Sequence, residues 1–236
     1  MNGIAELLSD IKSAPQTITF ALDEPETRTP LIQDLVSGFF ETSDQVHYID
    51  FDLQYSSLLQ NISRQEYEAF ARDLFLFQPS NNVVPDLVDC IAPSPDIRRG
   101  GLVVLDSLNT LQNLLWVPAE VSSAGAREAN HRTAVLVTMV QQFARYYEKS
   151  FVITNITRQR PRRPGEDDTV WEKEIVGGRM MRYKSNAILF ATKSYAQEGI
   201  SNEPRIELVV AAGASGEFGK RGREPYLIEM NPVTLS

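Results

Sequence analysis

Short apolar runs alternate with amphipathic segments along the first two thirds of the chain. Runs at 17–22, 45–51, 102–106 and 151–154 are rich in β-branched, aliphatic and aromatic residues, which favours strands. Apolar residues spaced by three and four positions predict helices at 4–11, from Pro30 to about 40, and at 132–149. The runs at 102–106 and 151–154 hold almost no polar residue, as is typical of strands buried on both faces of a parallel sheet. The pattern predicts an α/β domain with a mostly parallel sheet.

Composition narrows the class of protein. The 236 residues, 42% of them hydrophobic, fit a single globular domain over 1–236. Cys90 is the only cysteine and the chain has two histidines, which argues against a disulfide framework, a cysteine-based zinc site and a histidine-rich metal centre. No apolar run is long enough to span a membrane, and the acidic start at 1–14 does not resemble a signal peptide. We expect a soluble cytoplasmic protein with no membrane partner.

Charge is distributed unevenly along the chain. The net charge is -8, but residues 1–118 carry 17 acidic and 6 basic side chains, whereas 119–236 carry 14 acidic and 17 basic ones. The segment 157–165 concentrates the positive charge in four arginines: Arg158, Arg160, Arg162 and Arg163. Two prolines and a glycine there predict a loop without regular structure.

This basic loop has two interpretations. Arginine donates two hydrogen bonds to a phosphate, and aromatic side chains stack on bases, so the segment suits single-stranded nucleic acid. Trp171, Lys173 and Arg179 would extend such a surface. Alternatively, the acidic residues 166–168 neutralise the loop, or the loop docks on an acidic protein partner.

Polar side chains follow three of the predicted strands, where ligands bind in open α/β sheets. Asp52 follows the second strand and is a candidate for polarising a water molecule. Asp106 ends the third strand and is a candidate Mg²⁺ ligand. Asn155 follows the fourth strand and would either sense a phosphate or satisfy backbone groups. Each acid also has a structural interpretation, as a solvated or capping residue.

The turn after the first strand lies where a phosphate-binding loop would be expected. Aligned with G-x-x-x-x-G-K-[ST], residues 22–29 match only through Arg28, a basic residue in the lysine position, and Thr29. Leu22 and Thr27 replace the two glycines, and acids at 23, 24 and 26 would repel phosphate. The residues alone indicate an ordinary strand-to-helix turn.

Taken in order, these segments resemble the core of the RecA/RadA recombinase superfamily. The strand 103–107 looks like the Walker B strand, and 48–52 resembles the strand with the catalytic carboxylate, here Asp52 in place of glutamate. Residues 109–131 lie where that family has its first DNA-binding loop, and the helix and strand at 132–155 are similar to those before its second. The glycine pair 177–178 looks like the end of that loop, and 185–190 and 205–209 resemble the closing strands.

The resemblance implies a RecA-like core: a mostly parallel, twisted sheet flanked by helices, with antiparallel C-terminal strands and no separate N-terminal DNA-binding domain. Asp52, Asp106 and Asn155 would be vestigial catalytic residues, and Arg28 and Thr29 vestigial nucleotide-binding residues. No cofactor is expected, and ATP with Mg²⁺ would bind only if the degenerate site still accepts it. The basic loop would correspond to the second DNA-binding loop.

Three functions remain open on this basis. The first is a non-catalytic accessory factor in recombination or repair that binds single-stranded DNA, a RadA-type recombinase or a related RecA-fold paralog. The second is a ring-forming subunit that binds tRNA, similar to the Elongator RecA-fold subunits, in which case the chain would be a homo-oligomer. The third is a divergent ATPase that uses Arg28, Thr29, Asp52 and Asp106.

Overall fold

The computed structural model describes residues 3–42, 44–54, 73–80, 82–116, 123–161, 171–195, 204–211 and 225–229. The helices are α1 (Gly3–Lys12), α2 (Arg28–Phe40), α3 (Val83–Cys90), α4 (Leu108–Leu114), α5 (Ser123–Tyr146) and α6 (Gly178–Lys184). The strands are β1 (Thr17–Leu22), β2 (Val46–Asp50), β3 (Leu74–Phe77), β4 (Leu102–Asp106), β5 (Ser150–Ile156), β6 (Arg158–Pro161), β7 (Trp171–Glu174), β8 (Ala187–Tyr195), β9 (Pro204–Val210) and β10 (Tyr226–Glu229). Within these ranges, no helix combines the length and apolarity that crossing a membrane requires.

Eight of the strands form one sheet in the order β10-β9-β8-β1-β5-β4-β2-β3. The strands from β8 to β3 pair in parallel, whereas β8, β9 and β10 pair antiparallel. β1 and β2 are separated by β5 and β4, so the chain crosses two strands when it passes through α2. The carboxyl ends of β1, β5, β4 and β2 therefore lie side by side at one edge of the sheet, where the ligand sites of such sheets are found.

Helices cover both faces of the sheet. Leu7 of α1 and Leu35 of α2 pack against the face formed by Phe20, Val104 and Val152. On the other face, α3, α4 and α5 pack against the alternate residues of β4 and β5, which include Val103, Leu105, Phe151 and Ile153. These central strand residues are fully or almost fully buried. Continuous apolar sequence in β4 and β5 is explained by this burial on both sides.

The predicted α/β sheet with antiparallel C-terminal strands is confirmed, and the bounds of β1 and β4 are as predicted. Two local predictions are wrong. The basic segment 157–165 is not irregular throughout, because β6 pairs antiparallel with β7 and aligns Arg158 with Glu174. Pro161 is tolerated because it is the last residue of β6, opposite Trp171.

The second correction concerns α5, which begins at Ser123 rather than at Arg132. Residues 123–131 lack an apolar stripe but contain three alanines, which have the highest helix propensity. An ion pair between Glu128 and Arg132, one helical turn apart, adds to the stability of the segment. Much of the stretch assigned to a DNA-binding loop by resemblance is therefore helical, in α4 and α5.

Candidate functional site

Arg28, Asp52 and Asp106 meet at the carboxyl edge of the sheet. Arg28 is the first residue of α2, Asp52 follows β2, and Asp106 ends β4. The Arg28 Nη1 atom donates to Asp52 Oδ2 and lies 3.4 Å from Asp106 Oδ1. Arg28 is 3% exposed and Asp106 is 1% exposed, so the guanidinium lies between two carboxylates in a nearly dry environment. We call these three residues the Arg28 triad.

Two hydroxyl groups complete the surroundings of Asp106. Tyr48 Oη donates to Asp106 Oδ2 at 2.7 Å, and Thr154 Oγ1 donates to Asp106 Oδ1. Burial raises the pKa of Asp106, while the charge of Arg28 and the two hydroxyl hydrogen bonds act in the opposite direction; the nearby charge of Asp52 raises the pKa further. The carboxyl group of Asp106 thus depends on Arg28 for its counter-charge.

Gln54 covers the outer side of the triad. Its Oε1 atom accepts hydrogen bonds from Arg28 Nε at 3.2 Å and from Thr29 Oγ1 at 3.0 Å. The backbone N–H of Gln54 in turn donates to Asp50 Oδ1 at 3.1 Å. Both residues in the lysine and serine/threonine positions of the phosphate-binding pattern are therefore bonded within the chain.

The backbone of the β1–α2 turn is also bonded within the chain. The N–H of Asp23 donates to Ala191 O at 3.1 Å, the N–H of Thr27 to Glu24 O at 3.1 Å, and the N–H of Arg28 to Pro25 O. Glu26 forms an ion pair with Lys193 at 2.6 Å, which lowers the pKa of Glu26. A phosphate cradle requires backbone N–H groups that point at the ligand. A RecA-like ATPase fold implies ATP and Mg²⁺, and the residues of this turn do not fit them.

Metal ligation fits poorly as well. No group of three His, Cys, Asp or Glu side chains suited to a metal ion occurs among the residues that the structure describes. Asp52 and Asp106 are two carboxylates at the expected strand ends, but Arg28 lies against both. The guanidinium thus stands where a cation would have to bind.

Asn155 is fully buried and bonded to backbone. Its Nδ2 atom donates to Val176 O at 2.7 Å, and its Oδ1 atom accepts from the N–H of Val176 at 3.1 Å. Of the two interpretations of this residue, the structure shows the satisfaction of backbone groups. Through this contact β5 fixes the segment that leads into α6.

A pocket of about 410 Å³ lies beside that segment. It is formed by α4, α5, the start of β6 and the entry to α6, and is lined by Gln112, Asn130, Arg158, Ile175, Val176, Gly177, Gly178, Arg179 and Met180. Gly177 has a φ of 81°, and a Cβ atom there would lie 2.8 Å from Met180 Cε, so the entry to α6 requires glycine at this position. The pocket wall is accordingly well defined.

The pocket brings two of the predicted nucleic-acid-binding residues together. Arg158 and Arg179 both line it and both are exposed to solvent. The backbones of Arg160, Trp171 and Lys173 lie in the β6–β7 hairpin, where Arg160 pairs with Glu172 and Lys173 with Gln159. Arg162 and Arg163, like the acidic residues 166–168, lie outside the described residues.

Sequence reasoning missed the amide side of this pocket. Gln112 of α4 donates from Nε2 to Asn130 Oδ1 of α5, and both side chains line the pocket together with the two arginines. No local signal identifies them, since each is a polar residue on an amphipathic helix. Their relationship depends on the packing of α4 against α5.

Comparison with known proteins supports the fold. No protein-family model matches the sequence, and a search of curated proteins finds no relative. Among solved structures, the ATPase domain of a helicase is similar, with 13% sequence identity and a TM-score of 0.56. The match covers 96% of this chain and 85% of that chain. The chain therefore has a RecA-like ATPase fold.

Proposed function

We propose that the chain is a non-catalytic RecA-fold protein that binds single-stranded nucleic acid and acts as an accessory factor beside a RadA-type recombinase. The observation that carries the nucleic-acid part is the pocket in which Arg158 and Arg179 converge. Two arginines at one pocket are suited to a phosphate backbone, because each guanidinium donates two hydrogen bonds in a plane.

Other side chains at the pocket suit the remaining parts of a nucleotide. Gln112 and Asn130 offer amide groups to a sugar or a base edge. Tyr183 is 87% exposed and lies four residues after Arg179 on α6, so both side chains lie on the same face of the helix. Exposed aromatic rings stack on unpaired bases, which double-stranded nucleic acid does not offer. This combination favours a single strand.

The Arg28 triad supports the non-catalytic part of the proposal. A buried ion pair takes up the side chains that would contact phosphate and metal, and the turn backbone is bonded within the chain. A RecA-like fold without a working nucleotide site is expected to act through binding. The recombinase partner rests on the resemblance of the sequence to the RecA/RadA superfamily.

The experiment is a salt titration of single-strand binding by fluorescence anisotropy. Each phosphate contact on a single strand contributes about -0.7 to the slope of log K against log salt. Replacing both Arg158 and Arg179 by alanine should therefore flatten the slope by up to about 1.4. The four-arginine variant at 158, 160, 162 and 163 should flatten it by up to about 2.8, with little change in sequence preference.

A matched control removes the same charge elsewhere. Arg99 and Arg145 are exposed and lie near the opposite edge of the sheet, before β4 and β5. The Arg99→Ala/Arg145→Ala variant should keep the wild-type slope. Equal slopes for wild type and both arginine variants would reject nucleic-acid binding at this pocket. Capture of a recombinase from the native host, identified by mass spectrometry, tests the partner.

A further inference from the structure

Arg28 is buried although it begins a helix at the edge of the sheet. Arginine is almost never fully buried unless it is paired. Here the side chain of Arg28 passes into the space between the ends of β2 and β4, and its guanidinium contacts Asp52 and Asp106. The arrangement holds one fixed positive charge between two negative ones.

The two carboxylates would repel each other without a cation. Asp106 is almost completely buried and is fixed in place by Tyr48 and Thr154, so it has no route into solvent. A carboxylate pair with a missing counter-charge raises the pKa of one member or binds a cation. In this chain the counter-charge is part of α2, and its position does not depend on any ligand.

The position of this charge corresponds to that of the ligand that the fold implies. Arg28 follows β1 and begins α2, where the fold calls for the nucleotide phosphates, while Asp52 and Asp106 follow the strands that carry carboxylates in the resembled family. With Gln54 over the outer side and the turn N–H groups bonded, no polar group of the turn remains directed at an anion among those described above.

We propose that the Arg28 guanidinium is a built-in replacement for the cationic ligand of the fold. It neutralises Asp52 and Asp106 permanently and closes the site to metal-nucleotide, so the chain holds its sheet edge in one state with no bound ATP. This inference concerns the nucleotide position alone and is independent of nucleic-acid binding at the pocket.

The test is to remove the built-in cation and offer another one. In EDTA, Arg28→Ala should lower Tm by about 6–20 °C, because it leaves a buried charge without its partner. Manganese(II) prefers carboxylate oxygen and should then raise Tm of Arg28→Ala by about 5–10 °C at saturation. Wild type should show no such rise. The matched control is Arg28→Ala/Asp52→Asn, which keeps the space but has only one carboxylate and should not respond to manganese(II).

The same series contains the results that would overturn the proposal. Equal responses of Arg28→Ala and its Asp52→Asn double variant would mean that Arg28 does not occupy a cation position. A second measurement uses only the wild-type protein and remains decisive if Arg28→Ala does not fold. Tm should be unchanged in millimolar Mg²⁺ with ADP or ATP, and a saturable rise of several degrees would show that the site is open to nucleotide.

Discussion

The side chain of Asn155 brackets the backbone of Val176, donating to its carbonyl oxygen at 2.7 Å and accepting from its N–H at 3.1 Å. Asn155 precedes the last residue of β5, and Val176 lines the pocket next to Gly177. The bracket therefore connects the centre of the sheet to the pocket wall. Thr154, the adjacent residue of β5, bonds Asp106 of the Arg28 triad. One strand end thus supports both sites.

The first prediction concerns this bracket. Asn155→Ala leaves one buried donor and one buried acceptor of Val176 without partners, and each such loss costs about 1–3 kcal/mol. The free energy of unfolding in urea should fall by roughly 2–6 kcal/mol. Asn113→Ala, an exposed change on α4, should alter the free energy by less than about 0.5 kcal/mol. Equal stability of the two variants would contradict the structural role of Asn155.

The second prediction tests the centre of the sheet. Leu105 is fully buried on β4 between β2 and β5, so Leu105→Ala should cost about 2–5 kcal/mol through lost burial and the cavity left behind. Leu114→Ala is the matched control, because Leu114 is 51% exposed. Both values come from denaturant unfolding. A cost below about 0.5 kcal/mol at Leu105 would be incompatible with the described sheet.

How far the sequence determined these features differs between the fold and the site. The strands β1 and β4 were predictable because their residues are largely apolar or β-branched and end at polar ones. The contact of Arg28 with Asp106 was not, since residues 28 and 106 approach only through the strand order β1-β5-β4-β2. The local sequence around Arg28 indicates an ordinary turn, and only the tertiary structure reveals the buried ion pair.

The basic segment shows a similar limit. Its composition predicts a loop, but it does not reveal that the flanking residues pair as β6 and β7. Antiparallel pairing depends on the two flanks meeting, which composition does not encode. For the same reason the pocket residues Gln112 and Asn130 have no signal in the sequence, whereas Arg158 and Arg179 were predicted from charge.

The third prediction concerns catalysis. The purified protein should hydrolyse ATP no faster than a protein-free control, because the turn lacks the glycine cradle and lysine and Arg28 is bonded to Asp52. The measurement is phosphate release with Mg²⁺ present. Asp52→Asn and Asp106→Asn should give the same background rate. Turnover in wild type that both variants abolish would refute the non-catalytic assignment.

The fourth prediction uses His47, whose ring stacks on Phe75 at 4.6 Å and lies edge-on to Phe143. Its Nε2 atom is buried without a hydrogen-bond partner, and burial, with the charge of Lys149 as a smaller cause, lowers the pKa of His47 to about 3. The unfolded chain takes up this proton below about pH 6.5, but the folded chain does not. The stability from neutral His47 is therefore present above about pH 6.5 and is lost as pH falls toward 3.

The readout is the difference between two proteins, which cancels the shared titration of carboxylates. Between about pH 6 and pH 4, wild type should lose about 1.4 kcal/mol of unfolding free energy per pH unit more than His47→Leu does. His131→Leu, at an exposed position on α5, should follow wild type. Parallel pH profiles for wild type and His47→Leu would show that His47 is not held neutral by the fold.

The last prediction separates base stacking from charge at the proposed nucleic-acid site. Tyr183 carries no charge and is 87% exposed beside Arg179, so Tyr183→Ala should leave both the salt slope and the stability unchanged. Loss of a stacked base should nevertheless weaken single-strand binding by about 5- to 150-fold, equivalent to about 1–3 kcal/mol. Tyr146→Ala is the control, because Tyr146 is 68% exposed at the far end of α5. Fluorescence anisotropy at fixed salt measures all three proteins. Equal affinity of Tyr183→Ala and wild type would limit the interaction at this pocket to phosphate contacts, which double-stranded nucleic acid offers equally well.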